Sequence, residues 1–297
     1  MAFRAAEYER FTGERTSRPT WIPIATATVA RGWGSKWVRR MSFLSLLMGF
    51  TIVVLLYILN QMVPDWREIV DGVGARVTDS DDGFPIDAVF YLRLLGIFVN
   101  PFLLILSLMF GHDLIASDLR TNAMEAYFSR PITPLSYLFG RTVAFVGFLM
   151  LATFGPIMLI WLGDLSFSAE GHIDVIAKIP LAMFGALLLS CTVVALMVQA
   201  ITILTRSAVW TNLVFVVIFV VVQGMGVMLW GITNNSSMLA ISYFQNTYVT
   251  TAAALGEVDN LTASHPPPAL AFTVLIGLAV VSFAIIMRGL KRRSLLA

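Results

Sequence analysis

The chain has 297 residues, of which 58% are apolar and only 13% are charged. Soluble domains carry about 25% charged residues, so this composition excludes an ordinary water-soluble globule. The single cysteine, Cys191, lies in an apolar run, which excludes a disulfide within the chain and predicts a small packing residue. The composition therefore predicts an all-α membrane protein.

The first 40 residues are charged and lack an early apolar core, so we expect no cleaved signal peptide. Within them, Trp21–Arg40 is predicted to form an amphipathic helix at the membrane interface. Its apolar face would hold Ile22, Ala25, Val29, Trp33 and Trp37, and its basic face Arg31, Lys36, Arg39 and Arg40. The alternative is a disordered basic tail with a short helical end. The sequence thus divides into a tail at 1–40 and a membrane domain at 41–297.

Six apolar stretches each reach the length of about 20 residues that a helix needs to cross a bilayer. They are Met41–Leu59, Ala88–Gly111, Thr142–Gly163, Ile179–Leu204, Ala208–Trp230 and Ala269–Met287. Only Thr205, Arg206 and Ser207 separate the fourth stretch from the fifth, so a tight hairpin is predicted there.

The basic residues orient these six spans. Sixteen of the 20 Lys and Arg residues precede the first span, follow the last, or lie in the second and fourth connections. Acidic residues concentrate in the other three connections. Because basic loops stay cytoplasmic, both termini are predicted to be cytoplasmic. The expected location is the cytoplasmic (inner) membrane of a bacterium.

Two outer loops have distinct compositions. The first is acidic and is predicted to be solvated; a metal site at Asp79, Asp81 and Asp82 is the alternative, although the rest of a calcium loop is missing. The last outer loop, at about 231–268, is the longest connection between spans. Its middle, Leu239–Leu255, is apolar and is predicted to dip into the outer leaflet.

The inner loop at about 112–141 predicts a helix, a sharp break and a second helix. Asp118 is expected to cap a short helix that runs to about Phe128. Arg130 precedes Pro131, which disfavours helical geometry, and Thr133 followed by Pro134 predicts the start of the next helix. A short rigid helix of this kind suits force transfer from a soluble partner.

This inner loop resembles the conserved region of ABC-2 type permeases, the membrane subunits of a class of ATP-binding-cassette transporters. The matching residues are Asp118, Arg120, Glu125, Ser129, Arg130, Pro131, Tyr137, Leu138, Gly140 and Arg141. Asn122-Ala123 departs from the Gly-Thr of that pattern, and Asp118 replaces its more usual Glu. The six-span layout, the interfacial helix and the long last outer loop, which in the family folds into re-entrant helices, also agree.

The resemblance implies a channel of two permease copies, a homodimer, in which each copy docks on a separate ATPase subunit. The coupling loop that would make this contact includes Asp118, Arg120, Glu125, Tyr127, Ser129, Arg130 and Pro131. The chain lacks a G-x-x-x-x-G-K-[ST] phosphate loop, so ATP and Mg are expected to enter through the partner. No enzymatic activity, metal or nucleic acid is expected of this chain. The bilayer is an expected partner, and an additional periplasmic or accessory subunit is left open.

Polar residues inside spans are costly and are candidates for a transport pathway or an interface. Four are singled out: Arg93, Asn100, Gln199 and Gln223. Arg93 either snorkels to the outer headgroups or lines a vestibule that contacts an anionic substrate or the partner protomer. Asn100 precedes Pro101, which predicts a kink, and the glutamines either bond between helices or face a pathway. Asp164, at the outer end of the third span, is expected to lie in water.

Three other classes of protein are alternatives to the permease. A secondary transporter would be expected to carry paired carboxylates within spans or internal repeats, and neither is seen. An intramembrane hydrolase needs a membrane histidine, but His112, His172 and His265 lie at span ends or in loops. A membrane subunit that transmits force without moving a solute needs the same coupling loop, so the sequence does not separate it from an exporter.

Overall fold

The computed structural model describes residues 19–62, 88–121, 123, 132–167, 176–258, 261 and 265–294. These residues form helices and no strand. The α-helices are α1 Trp21–Gly34, α2 Lys36–Met62, α3 Ala88–Leu106, α4 Asp113–Arg120, α5 Pro134–Phe167, α6 Ile179–Thr205, α7 Ala208–Val216, α8 Gln223–Thr233, α9 Tyr243–Leu255 and α10 Pro268–Ser294.

Six helical stretches in the described part of the chain are long and apolar enough to cross a membrane. They are Lys36–Leu59, Ala88–Arg120, Pro134–Ser166, Ile179–Thr205, Ala208–Thr233 and Pro268–Arg292. A π-helical turn, Ser107–Gly111, leads from α3 towards α4, and a second, Val217–Val222, joins α7 to α8. The predicted six apolar helices and the all-helical fold are confirmed.

Three of these stretches form the centre of the bundle. More than half of the apolar stretch is buried in α3, α5 and α6, against about a fifth in α2, α7–α8 and α10. The outer helices turn large apolar side chains outward, including Phe43, Val209 and Met228, which are 62%, 74% and 67% exposed. Such a surface suits contact with lipid, because exposure of so many large apolar side chains to water is unfavourable.

Small residues bring α2 close to α5. A Cβ atom added to Gly49 would lie 2.8 Å from Cα of Pro156, so only glycine fits at this contact. One turn earlier, Ser45 Oγ donates to the carbonyl oxygen of Ala152. Within lipid, the hydrophobic effect does not drive helices together. Close packing at small residues and hydrogen bonds from hydroxyl groups hold them together instead.

The N-terminal helix differs from its prediction. α1 ends at Gly34, and Ser35 is extended, so Lys36–Arg40 belongs to the start of α2 rather than to one helix that reaches Arg40. Of the predicted apolar face, Val29, Trp33 and Trp37 are exposed, so they do not pack within the bundle. The face that packs on α5 instead carries Ile24, Ala25, Thr28 and Gly32.

Glycine explains why α1 turns that face inward. A Cβ atom on Gly32 would lie 2.6 Å from the ring of Phe148, and one on Gly140 would lie 2.7 Å from the carbonyl oxygen of Trp21. Bare backbone at these two positions therefore lets α1 lie directly on α5.

The hairpin between α6 and α7 is confirmed. Arg206 adopts a left-handed conformation, with φ of 55°, and its amide donates to the carbonyl oxygen of Thr202 at 2.8 Å. This conformation closes the C-terminus of α6 and reverses the chain within two residues.

The chain after α8 folds back into the bundle. Asn234, with φ of 51°, ends α8, and a 3-10 turn, Ser236–Ile241, packs against that helix. α9 then lies against α3, α6 and α10. Tyr243 Oη donates to the carbonyl oxygen of Ser190 at 2.8 Å. Ser190 lies about 17 Å along α6, close to its midpoint, at 1.5 Å per residue.

Candidate functional site

A buried ionic cluster joins three helices at the end of the bundle that the charge pattern predicts to be cytoplasmic. The carboxylate of Asp118, on α4, forms an ion pair with Arg141, on α5. The two side chains are only 4% and 3% exposed. Asp118 also accepts a hydrogen bond of 2.6 Å from Tyr137 Oη. A buried carboxylate thus has a cation and a hydroxyl donor from the neighbouring helix.

Helix α1 completes this cluster from the other side. Arg141 Nη1 donates to Thr28 Oγ1 at 3.1 Å. Arg31 Nη1 donates to Ser117 Oγ at 2.9 Å and lies 3.8 Å from Asp118 Oδ1. We call Thr28, Arg31, Asp118, Tyr137 and Arg141 the ionic cluster. It connects α1, α4 and α5, which are far apart in sequence.

The first turns of α5 position Tyr137 and Arg141 to contact Asp118. Thr133 caps the helix, because its Oγ1 accepts a hydrogen bond of 3.1 Å from the amide of Ser136. The predicted Thr133–Pro134 helix start is confirmed. Tyr137 and Arg141 are four residues apart and therefore share a helix face. The guanidinium of Arg141 also lies 5.5 Å from the ring centroid of Tyr137.

The predicted role of Asp118 as a helix cap is wrong. α4 begins at Asp113 and follows the π-helical turn directly, so Asp118 lies in its last turn rather than at an N-terminus. Burial of the carboxylate also removes it from the surface that a partner could contact. Within the described residues of the predicted coupling loop, Arg120 is the exposed cation, 3.4 Å from Asp113.

The rest of the predicted coupling loop lies outside the described residues. These positions are Glu125, Tyr127, Ser129, Arg130 and Pro131, together with the helix expected to run to Phe128. They remain predictions from the sequence.

A polar cavity of about 360 Å³ lies towards the opposite end of the bundle. Three of the four polar span residues predicted from the sequence, Arg93, Asn100 and Gln223, line this cavity. The other lining residues are Leu95, Gly96, Val99, Phe244, Gln245, Thr247, Tyr248 and His265. The structure therefore brings residues of α3, α8, α9 and the segment before α10 around one space.

Several of the polar side chains that line the cavity interact with one another. The rings of Tyr248 and His265 stack with centroids 5.1 Å apart. Burial raises the pKa of the Tyr248 hydroxyl, while the positive charge of Arg93 acts to lower it, so the two groups lie within electrostatic reach. The buried Oε1 of Gln223 accepts no hydrogen bond from the described residues. Among the lining residues that the structure describes, none is acidic.

Gln199 lies apart from this cavity. It is completely buried, and its Nε2 donates to Thr142 Oγ1 at 3.0 Å. Of the two roles left open by the sequence, the structure shows the bond between helices, here between α6 and α5.

The expectation that Asp164 lies in water is wrong. The residue is only 4% exposed, and its carboxylate accepts a hydrogen bond of 3.1 Å from Tyr91 Oη. The packing of α3 against α5 brings this hydroxyl over the carboxylate, a contact between residues 73 positions apart that has no local signal in the sequence.

Sequence reasoning also missed Gln245, Tyr248 and His265. Gln245 and Tyr248 are three residues apart on α9 and share a face, a spacing that is visible within the apolar stretch at 239–255. No signal in the sequence placed His265 beside them. No group of three or more potential metal ligands occurs among the described residues, and Asp79, Asp81 and Asp82 lie outside them.

The sequence matches no known protein-family model and no curated protein. The class that the fold defines is an all-helical protein with six helices long and apolar enough to cross a membrane. Among the described residues, the ionic cluster and the polar cavity are the candidate functional sites.

Proposed function

We propose that this chain is the permease subunit of an ABC-2 type ATP-binding-cassette transporter. It would couple ATP hydrolysis by a separate ATPase subunit to export of a substrate across the cytoplasmic membrane. The observation that carries this proposal is the ionic cluster, which fastens α1, α4 and α5 together at the predicted cytoplasmic end.

Helix length supports a projection at this end. Ala88–Arg120 has 33 residues and α5 has 34. At 1.5 Å per residue each is about 50 Å long, whereas the hydrocarbon core is about 30 Å thick. Residues 121–133 connect the two helices, so their inner ends lie at the same side. A soluble ATPase could push on this projecting pair without entering the bilayer.

The cluster could transmit a force applied at the inner ends of α4 and α5 to the rest of the bundle. Leaving one charge of a buried ion pair without its partner costs about 3–5 kcal/mol, so α4 and α5 should move together. The hydrogen bond from Arg141 to Thr28 joins α1 to this pair. α5 also packs on α2, α3 and α6. A displacement at the inner ends would therefore reach the helices that line the polar cavity.

The orientation and the dimer belong to the same proposal. Both termini would be cytoplasmic, as the distribution of basic residues predicts. The 3-10 turn and α9 would form the re-entrant helices of the last outer loop, supported by the Tyr243 bond near the midpoint of α6. Two copies would form the transport pathway, with α1 at the membrane interface. The polar cavity supports transport over force transmission alone.

Copurification tests the proposal. A tagged chain, purified from its native membranes in a mild detergent, should retain a protein that contains a phosphate loop, together with vanadate-sensitive ATPase activity. Arg120→Glu reverses the exposed charge of the coupling loop and should reduce both. Lys178→Glu is the matched control, because the same charge is reversed at the opposite end of the bundle.

Two outcomes would contradict the proposal. One is a well-folded chain that retains no ATPase. The other is an equal loss of the ATPase from the Arg120 and Lys178 variants, because a site-specific dock requires that only the first respond.

A further inference from the structure

We propose that a second cavity, which we call the apolar cavity, binds one acyl chain of a phospholipid from the bilayer. The apolar cavity lies between α6, α9 and the start of α10 and has a volume of about 460 Å³. Binding there would not require an ATPase, so it is independent of the proposed function.

Small side chains on two helices create the apolar cavity. Its α6 wall carries Ala182, Gly185 and Ala186, and its α9 wall carries Ala253 and Ala254. A Cβ atom added to Gly185 would meet nothing within 4 Å, so the space beside this residue is open. Among the lining residues that the structure describes, none is ionisable. Such a lining favours an uncharged, apolar occupant, because a charge there would be buried without a partner.

The apolar cavity can be reached from the lipid-facing surface. Two of its lining side chains, Leu181 on α6 and Phe272 on α10, are 80% and 50% exposed. α10 is also one of the outer helices, with only about a fifth of its apolar stretch buried. A lipid beside the bundle could therefore enter the cavity without any rearrangement of the central helices.

The depth of the apolar cavity matches one half of the bilayer. Leu181 and Leu189 lie about 3 Å and 15 Å along α6 from its first residue, so the cavity extends about 12 Å along the helix axis. α6 has 27 residues and is about 40 Å long, against a hydrocarbon core about 30 Å thick. The cavity therefore lies between the midplane and the interface, in the half opposite to the ionic cluster. Acyl chains fill this layer, and an apolar cavity stays free of water.

The volume distinguishes an acyl chain from a helix of a second copy. A helix with its side chains is about 10 Å across, so a length of about 12 Å would occupy roughly 900 Å³, far more than the cavity offers. A single hydrocarbon chain is much narrower than a helix and fits this space. In lipid, the atoms that line an unfilled cavity lack van der Waals partners, and an acyl chain supplies them.

One polar side chain adds a preference for a lipid ester. Thr250, on α9, is the polar member of the described lining. It is 9% exposed, and its Oγ1 has no hydrogen-bond partner among the described residues. Threonine on a helix has two favoured χ1 conformers, so this hydroxyl can turn towards a bound molecule. There it would donate to the ester carbonyl at the head of the chain, which would satisfy a buried group that is costly to leave unpaired.

Native mass spectrometry of the full-length protein tests the site, because one spectrum reports both bound lipid and oligomeric state. Protein that detergent has stripped of loosely bound lipid should bind one dioleoylphosphatidylcholine per chain, saturably, as this lipid is titrated. Lipid that only surrounds the bundle would add without a defined stoichiometry.

A steric variant locates the binding. Gly185→Leu fills the apolar cavity without a clash, so it should raise the Kd of this lipid about tenfold or more. Gly231→Leu is the matched control, because it makes the same change at an exposed glycine of α8 with open space around it. The control should leave the Kd unchanged.

A hydroxyl variant tests the contact with the ester. Thr250→Val keeps the shape of the side chain and should raise the Kd of the ester lipid about threefold, the effect of losing one neutral hydrogen bond. The Kd of the dialkyl ether analogue, which has no carbonyl, should not change. An equal effect on the two lipids would overturn the ester contact.

The wild-type chain offers a test that does not depend on the folding of any variant. A phosphatidylcholine with a diazirine near the middle of one acyl chain, bound at one lipid per chain, should crosslink to residues 181–189, 250–254 or 268–272. Crosslinks confined to α7 and α8 would place the bound lipid elsewhere and overturn the assignment.

Two further results would also overturn it: no saturable binding, or equal Kd values for Gly185→Leu and Gly231→Leu. Loss of a dimer from Gly185→Leu with lipid binding intact would assign the cavity to a second copy instead. A lipid site in a chain that binds no ATPase would refute the proposed function alone. An ATPase-bound chain without the lipid site would refute this inference alone.

Discussion

Removal of Arg141 should expose the energetic role of the ionic cluster. Arg141→Met keeps a long side chain but leaves the carboxylate of Asp118, which is 4% exposed, without its buried cation. Removing one partner of a buried pair costs about 3–5 kcal/mol. At about 2 °C per kcal/mol for a chain of this size, the midpoint of thermal unfolding should fall by at least about 6 °C.

The single cysteine provides the assay. Cys191 is completely buried, so a thiol-reactive fluorogenic maleimide should label it only as the chain unfolds. The temperature at which labelling begins then reports stability in detergent. Arg120→Gln is the matched control, because Arg120 and Asp113 are 64% and 39% exposed, and such surface pairs contribute about 0–1 kcal/mol.

A double variant separates charge burial from simple loss of packing. Asp118→Leu combined with Arg141→Met removes both buried charges, so it should recover most of the stability lost in the single Arg141 variant. Arg31 can stay solvated in this background, because its side chain is 42% exposed. An Arg141→Met midpoint no lower than that of Arg120→Gln, or a double variant less stable than the single Arg141→Met variant, would contradict this role of the buried charges.

Two further predictions use the same labelling assay. Gly140→Ala places a methyl group 2.7 Å from the carbonyl oxygen of Trp21, so it should cost about 1–3 kcal/mol, whereas Gly147→Ala, with open space around it, should not destabilise the chain; equal midpoints would contradict the packing of α1 on α5. Tyr243→Phe removes the bond to the carbonyl oxygen of Ser190 and should cost about 1 kcal/mol, and an unchanged midpoint would argue against that contact.

The membrane-length helices could be predicted from the sequence for a physical reason. A chain in lipid must satisfy its backbone within each segment, so every spanning element is a long apolar helix with a strong local signature. The start of α5 was also predictable, because a threonine cap and a proline at the first helical position act locally. In the same way, Arg206 marked the turn between two apolar runs.

The ionic cluster was not predictable because its contacts are not local. Asp118 and Arg141 are 23 positions apart, and Thr28 is 113 positions from Arg141. A carboxylate before an apolar run has the same local pattern whether it caps a helix or pairs inside a bundle. Tertiary packing, which extended α4 upstream of Asp118, decided between the two.

Part of the polar cavity was predictable. Polar side chains are costly in an apolar helix, and this cost singled out Arg93, Asn100 and Gln223 before their proximity was known. The same reasoning grouped Gln199 with them, although that side chain bonds between helices. Tyr248 and His265 were missed because their role depends on how the last outer segment folds back, which no spacing in the sequence specifies.

Site-specific photo-crosslinking tests the central claim, that an ATPase docks at the inner ends of α4 and α5. A photoreactive amino acid at position 120 should crosslink in native membranes to a protein that contains a phosphate loop. The same amino acid at position 178, at the opposite end of the bundle, should give no such product. Crosslinking from position 178 but not from position 120, or from neither, would contradict the account.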